Sequence, residues 1–303
     1  MAFDPYKILI TGTGLIGGFL AERLIAQGHS VTVVSRSGIA RLGEITSGTV
    51  QVVCHDLSRP IPDLGRFDVI LHSAALSPAK AMPSPQEFVE SNVMGTFSVA
   101  QYAQRTRPAL VIYCSAISVY GPVHESVVTE DTPIRCSDWY GMTKYSGEVI
   151  LQQYSDSFNT VALRLPAVLG PGSYRPWLGW VLRRGLSGLE IPIYNPQAAF
   201  NNVTNLHEVF RFVAQLMERP PKSFDVVQMA ATESITIIEA VQRVLGPVQN
   251  GSRIVEVDSD RESFSLSIEK LWNSYHFKPD TTSAIIDRYV QEMLESQAVQ
   301  DGR

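Results

Sequence analysis

The sequence predicts an α/β protein, a doubly wound parallel sheet followed by a smaller α+β lobe. Three observations lead there. Short β-branched runs alternate with amphipathic stretches through the first half, a glycine-rich turn follows the first run, and the alternation breaks down after Pro166. The size fits: 303 residues with 45% hydrophobic and 18% charged side chains can bury a large core. A net charge of −5 argues against a broad electrostatic footprint for nucleic acid or an anionic membrane, so any phosphate must be held locally.

The strands expected are Lys7–Thr11, Ser30–Ser35, Val50–Cys54, Phe67–His72, Leu110–Cys114 and Thr160–Arg164, with helices over Leu15–Ala26, Pro85–Thr106 and Ser137–Tyr154 between them. The strands read as nearly continuous apolar segments, the pattern of a sheet covered on both faces. Beyond Pro166, Gly170-Pro171-Gly172, Arg175-Pro176 and Pro220-Pro221 punctuate shorter elements, with helices expected at Leu206–Glu218, Ile235–Leu245 and Ser283–Glu295 and a frayed tail from Ser296. The division is placed after residue 165: a nucleotide-binding domain over 1–165 and a substrate lobe over 166–303. Cys54, Cys114 and Cys136 form no metal-ligand or disulfide pattern, so no metal is expected. The chain opens without a secretory signal pattern and its uncharged runs are too short to span a bilayer, so a soluble, cytoplasmic protein is expected.

Strand, Gly12-Thr13-Gly14-Leu15-Ile16-Gly17, helix is a dinucleotide fingerprint of the Rossmann type in the context that gives it meaning. Gly12 would make the tight turn, Gly14 would let a pyrophosphate approach the backbone N–H groups ahead of Leu15 and Ile16, and Gly17 would bring helix and strand together. The second strand ends Ser35-Arg36-Ser37, with no acid to take a ribose 2′-hydroxyl, and Arg36 suits a 2′-phosphate. NADP is therefore expected, with NAD as the alternative. Asp56-Leu57 follows the third strand; Asp56 either reaches an adenine amino group or closes an Asx turn.

Tyr140 and Lys144 stand four apart, on one face of a helix. A phenol with a pKa near 10 is a poor acid–base catalyst at neutral pH, and an ammonium beside it, together with a nicotinamide cation, favours the phenolate.

With these residues the sequence resembles the extended short-chain dehydrogenase/reductases, the NAD(P)-dependent epimerase/dehydratase type that modifies nucleotide sugars. The resemblance runs through Asp68-Val69-Ile70-Leu71-His72-Ser73-Ala74-Ala75, Asn92-Val93-Met94-Gly95-Thr96, Cys114-Ser115-Ala116-Ile117-Ser118-Val119-Tyr120-Gly121, Leu163-Arg164 to Gly172, and Asn202 to Val209. It implies that Tyr140 is the acid–base residue, and that Lys144 binds the nicotinamide ribose and lowers the tyrosine pKa. It implies further that Ser73, Ala74 and Ala75 line the cofactor, that Asn92 supports the adjoining strand, that Pro166 with Ala167 and Val168 lies at the nicotinamide end, and that the protein is a homodimer.

Three departures bear on chemistry. The glycine loop is one residue shorter than the family's TGxxGxxG. Ala116 stands at the family's catalytic Ser/Thr position, and Ala167 where many sugar-modifying members have asparagine. Lost hydroxyl donors of this kind cost about 2.7–4 kcal/mol in other sites. Ser118 is preferred as the compensating hydroxyl, with Ser115 as the other candidate. Ile117 and Ser118 in place of an acidic pair disfavour a dehydratase.

For the substrate, Arg175, Trp177, Trp180, Arg183, Arg184, Asn201, Asn202 and His207 are candidates, each of which also fits a packing or solvated role. The function expected is reduction of a nucleotide-linked 4-ketosugar by hydride transfer; the alternatives are a nucleotide-sugar 4-epimerase and a non-catalytic NADP-binding sensor.

Overall fold

The computed structural model describes residues 4–36, 50–78, 81–248, 251–260 and 262–301, with 297–301 given by their backbone alone. Five strands come first: β1 (Lys7–Thr11), β2 (Ser30–Ser35), β3 (Val50–Cys54), β4 (Val69–His72) and β5 (Leu110–Ala116). With β6 (Asn159–Leu165) and β7 (Phe224–Gln228) they form one seven-stranded sheet, in the order β7-β6-β5-β4-β1-β2-β3. The pairs β1–β2, β2–β3, β1–β4 and β4–β5 all run parallel.

The burial of each strand follows its place. Every residue of β4 and β5 is buried, as the apolar runs anticipate, whereas β3 at the sheet edge is only half-buried and leaves Cys54 exposed. β7 occupies the other edge and is not among the expected strands. Five residues behind Pro220-Pro221 and a polar turn are too few to show a period.

Helix α1 (Leu15–Ala26) buries Gly17, Leu20, Ala21 and Leu24, the stripe its sequence period dictates. The expected helix over Pro85–Thr106 is a composite. A capping box between Ser84 and Glu87 starts α2 (Pro85–Phe88), a π-helical segment follows over Val89–Met94, and α3 (Gly95–Thr106) ends where Arg107 turns left-handed. α4 (Trp139–Gln152) is capped by Asp138, whose carboxylate accepts from Gly141 N at 2.7 Å.

The chain divides into two compact units. The first takes in residues 1–122, 133–164 and 210–227, the second 123–132, 165–209 and 228–303. The chain thus passes between the units more often than the single division after residue 165 provides for. The first unit's core includes Leu9, Ile70, Val111, Tyr113 and Ala162 of the sheet with Val99, Tyr102 and Leu151 of the helices. In the second, α5 (Trp177–Leu186), α7 (Ile237–Leu245) and α9 (Thr282–Asp301), the last preceded in the chain by the short α8 (Glu269–Asn273), pack around Leu169, Ile191 and Val203. α6 (Leu206–Glu218) has the expected bounds, while α9 carries its backbone helix through the tail expected to fray. Good helix formers such as Gln and Ala extend the last turns without needing burial. Among the described residues no helix is long and apolar enough to cross a membrane, and no cluster of acids, histidines and cysteines could hold a metal.

Candidate active site

The loop between β1 and α1 is shaped by its glycines. Gly12 has φ +85°, and a Cβ there would meet Ala74 Cα at 2.7 Å. A Cβ on Gly17 would come within 2.1 Å of the Gly12 carbonyl oxygen and 2.3 Å of Ser73 Oγ. Gly14 differs: it is exposed, with nothing near its Cβ direction, and no side chain caps the helix it begins. The turn is therefore closed from below by Gly12 and Gly17 and open at Gly14, where first-turn N–H groups meet a free approach. That surface fits a dinucleotide pyrophosphate. Leu15 and Ile16 are half-buried beside it.

Ser73 braces the turn from the end of β4, its hydroxyl donating to Thr11 O (2.8 Å) and to Gly12 O (3.3 Å). Ala74 is half-buried and Ala75 exposed. Thr13 Oγ1 lies 3.0 Å from Ser35 Oγ, joining the shortened loop to the end of β2. Arg36 follows, exposed, its carbonyl accepting from Cys54 Sγ; Ser37 lies outside the described residues. Asp56 adopts the turn alternative: its carboxylate accepts from Ser58 N at 3.0 Å, the main cause of its lowered pKa, and Leu57 beside it is buried.

Asn92 owes its inward placement to the π segment, which shifts the helical phase by one residue. It is 1% exposed; its carbonyl accepts from Leu76 N (2.7 Å), and its amide donates to Leu76 O and Thr143 Oγ1 (both 3.0 Å). It pins the segment after β4 to α4.

α4 carries Tyr140, Lys144 and Glu148 at four-residue spacing. Gly141 lets the helix start lie against the loop after β5, since a Cβ there would meet Ser118 O at 2.4 Å. Ser118, half-buried, thereby has its backbone carbonyl against the first turn of α4. Ser115 faces elsewhere. It is 3% exposed and its hydroxyl donates to Glu148, whose carboxylate also accepts from Arg164 Nε (3.1 Å) and Nη2 (2.8 Å). Arg164 Nη1 donates in turn to Tyr120 Oη at 3.1 Å. Ala116, 7% exposed, offers only a methyl group.

Charges in this site depart from their ordinary values. Burial, with Cys114 and Asp138 adding to it, pushes Tyr140 up to about 12, so the depression the family resemblance implies is absent from the chain by itself. Lys144, 2% exposed, is pushed down to about 8 by burial. Burial also takes the Cys114 thiol to about 11 and, with Lys144 nearby, His72 to about 3, so both are uncharged at neutral pH. His72, Tyr113, Thr96, Thr143, Glu148 and Arg164 complete the surroundings without having been singled out for a role in the sequence. The available signal was polar residues inside apolar runs, and Glu148 continuing the Tyr140, Lys144 face.

In the second unit the substrate candidates divide. Asn201 is spent on structure, donating to Ala231 O and Leu266 O and accepting from Leu266 N. Asn202 donates to Phe264 O, and its buried carbonyl oxygen has no partner in the described structure. Trp177 packs edge-on against Phe200, Trp180 carries the Arg184 guanidinium at 5.0 Å, and His207 Nε2 pairs with Glu292 at 3.0 Å. Arg175 and Arg183 are exposed, and Pro166 is buried.

Comparisons with known proteins agree with this architecture. "Protein CapI" of Staphylococcus aureus is 23% identical over 330 residues, covering 95% of this chain and 98% of its own. A UDP-N-acetyl-alpha-D-glucosaminuronate decarboxylase of Bacillus cytotoxicus is 24% identical, covering 91% and 89%. A UDP-glucose 4-epimerase of Corynebacterium glutamicum is 25% identical over 176 residues, 55% of this chain and 52% of that one. Among solved structures, the Bordetella bronchiseptica enzyme WbmG in complex with NAD and UDP superposes with a TM-score of 0.82 at 20% identity, covering 98% and 97%, a likeness of fold. MoeE5 in complex with UDP-glucuronic acid and NAD does so with 0.81 at 20% identity, covering 97% and 99%. A family model described as "NAD dependent epimerase/dehydratase family" matches residues 8–226, well over half of the sequence and including β2 to β6 with all of β1 but its first residue, and the chain belongs to that family.

Proposed function

We propose that this protein reduces a nucleotide-linked 4-ketosugar with NADPH, the first unit holding the dinucleotide and the second contributing to sugar recognition. The observation that carries the reading is the α4 face: Tyr140 on the first turn, which Gly141 brings against the Ser118 backbone, and Lys144 one turn on with no carboxylate in an ion pair with it among the described residues. Gly12, Gly14 and Gly17 with the N–H groups of Leu15 and Ile16 would hold the pyrophosphate, Ser73, Ala74 and Ala75 would flank the cofactor, and Arg36 would meet a 2′-phosphate. NAD is the alternative cofactor, and two of the solved relatives above are complexes with it.

When bound, the dinucleotide supplies the hydride that reaches the carbonyl carbon. Everything else falls to the chain. Tyr140, with its pKa near 12, is a phenol at neutral pH and therefore a proton donor, the form that a ketone reduction consumes. It gives its proton to the carbonyl oxygen as that oxygen becomes a hydroxyl. Lys144, largely ammonium below about pH 8, stabilises the phenolate left behind. Ser118 orients the substrate oxygen in place of the hydroxyl that Ala116 lacks.

Purified protein incubated with NADPH and nucleotide-4-keto-6-deoxysugars should lose absorbance at the reduced-cofactor band; no loss with any of them sinks this reading. A second reading, 4-epimerisation, is favoured by the relatives named UDP-glucose 4-epimerase. It predicts interconversion of epimeric nucleotide sugars with no net change in cofactor. Dinucleotide binding with neither activity would instead mark a sensor.

A further inference from the structure

Lys144 is a buried cation with no ion pair among the described residues, although the Glu148 charge acts on it and raises its pKa against the burial. Glu148, one turn along the same helix, is committed to Arg164 and Ser115. What lies against the ammonium is the ring of Tyr113 from β5, with Nζ 4.1 Å from the ring centroid. Tyr113 is itself fully buried, and its hydroxyl donates to the Lys144 carbonyl at 3.2 Å, so one side chain touches both ends of the residue. The fit requires Gly147, where a Cβ would stand 2.3 Å from Tyr113 Oη. From β4, His72 stacks on the same ring, centroids 5.3 Å apart, and is fixed by Thr11 Oγ1 at 2.7 Å and Thr96 Oγ1 at 2.9 Å.

We propose that Tyr113 is a positioning residue for Lys144, its ring face carrying the ammonium and its hydroxyl holding the helix turn that presents it. An aromatic face stabilises a cation without taking its proton or its whole charge, which a carboxylate would do. The titratable groups around Lys144 suit this seat. His72 and Cys114 are neutral at pH 7, Tyr140 is a phenol, and the Glu148 charge is balanced by Arg164. The inference rests on the reading of Lys144 as the charge that works beside Tyr140.

The test uses the full chain with 13C-labelled lysine and neither dinucleotide nor sugar, so its outcome is independent of whether any reaction is found. Six lysines make the ε-methylene signals separable. In the wild type the Lys144 ε-protons should be displaced upfield by the ring current, and Tyr113→Phe should keep that displacement. Tyr113→Leu should abolish it and move the Lys144 titration down by about one pH unit, the size of a desolvated cation–π contact. Unshifted ε-protons in the wild type overturn the proposal, and this arm stands even if Tyr113→Leu does not fold. So does a folded Tyr113→Leu protein in which signal and titration are unchanged.

Discussion

Tyr140 and Lys144 are moved in opposite directions by one cause, withdrawal from water, which disfavours the phenolate of the one and the ammonium of the other. Removing the phenol hydroxyl removes the proton carrier and little else. Tyr140→Phe should lower turnover by about 100- to 10,000-fold while dinucleotide binding, followed by fluorescence titration, persists; turnover that survives it refutes the assigned role. Lys144 carries a cost in stability. Its pKa is near 8 folded against an ordinary 10.5, so above pH 8 the unfolded chain binds the extra proton, and stability rises with pH from about 8 to 10.5. Below pH 8 the full desolvation penalty is present. Lys144→Met should therefore raise the denaturation midpoint at pH 7, by an amount that shrinks as pH passes from 8 to 10.5, while activity is lost. Thermal denaturation at pH 7 and pH 10 checks both the sign and the window. The spacing of this pair was legible in the sequence; the direction of the tyrosine shift was not, because it depends on burial that spacing does not report.

At the level of elements, glycines with identical letters do different work. Gly17→Ala forces a methyl group onto the Gly12 carbonyl and Ser73 Oγ and should destabilise the fold by about 1–3 kcal/mol. Gly14→Ala meets nothing, so the denaturation midpoint should hold while dinucleotide affinity falls, on the order of tenfold or 1.4 kcal/mol. Urea denaturation set beside binding titration separates the two variants. The order strand, glycine turn, helix could be read from the residues, as could the bounds of α1 and α6. The π segment could not, since its five-residue hydrogen-bond step leaves the hydrophobic pattern of Pro85–Thr106 almost unchanged while turning Asn92 inward. The Glu148–Arg164 pair was equally hidden, because joining α4 to β6 is a matter of the fold. Its side chains are 3% and 5% exposed, and Glu148→Ala, which strands the guanidinium, should cost about 3–5 kcal/mol in urea denaturation. The same change frees the Ser115 hydroxyl.

For the whole molecule, composition and motif order sufficed for the sheet's first six strands and for a change of character near residue 165. They could not foretell that residues 210–227 return to the first unit and add β7, since a chain reversal is decided by which apolar faces find each other. Among the described residues, one run of exposed large apolar side chains lies along two helices of that unit. α3 and α4 pack side by side, and exposed large side chains lie along them: Phe97 on α3, and Met142, Tyr145 and Val149 on α4 at i, i+3 and i+7. Soluble monomers rarely leave a helical stripe of this kind in water, and two helices of one copy laid against two of another would cover it with a self-complementary twofold contact. The homodimer implied by the family resemblance is proposed to form through this face. The wild type should then sediment as a dimer at micromolar concentration. Met142→Glu combined with Val149→Glu places four like charges in the symmetric interface and should shift the protein to monomer, with the circular dichroism of the fold retained because both positions are solvent-facing in the single chain. A wild type that sediments as a monomer, or a double variant that stays dimeric, rules this face out as the contact.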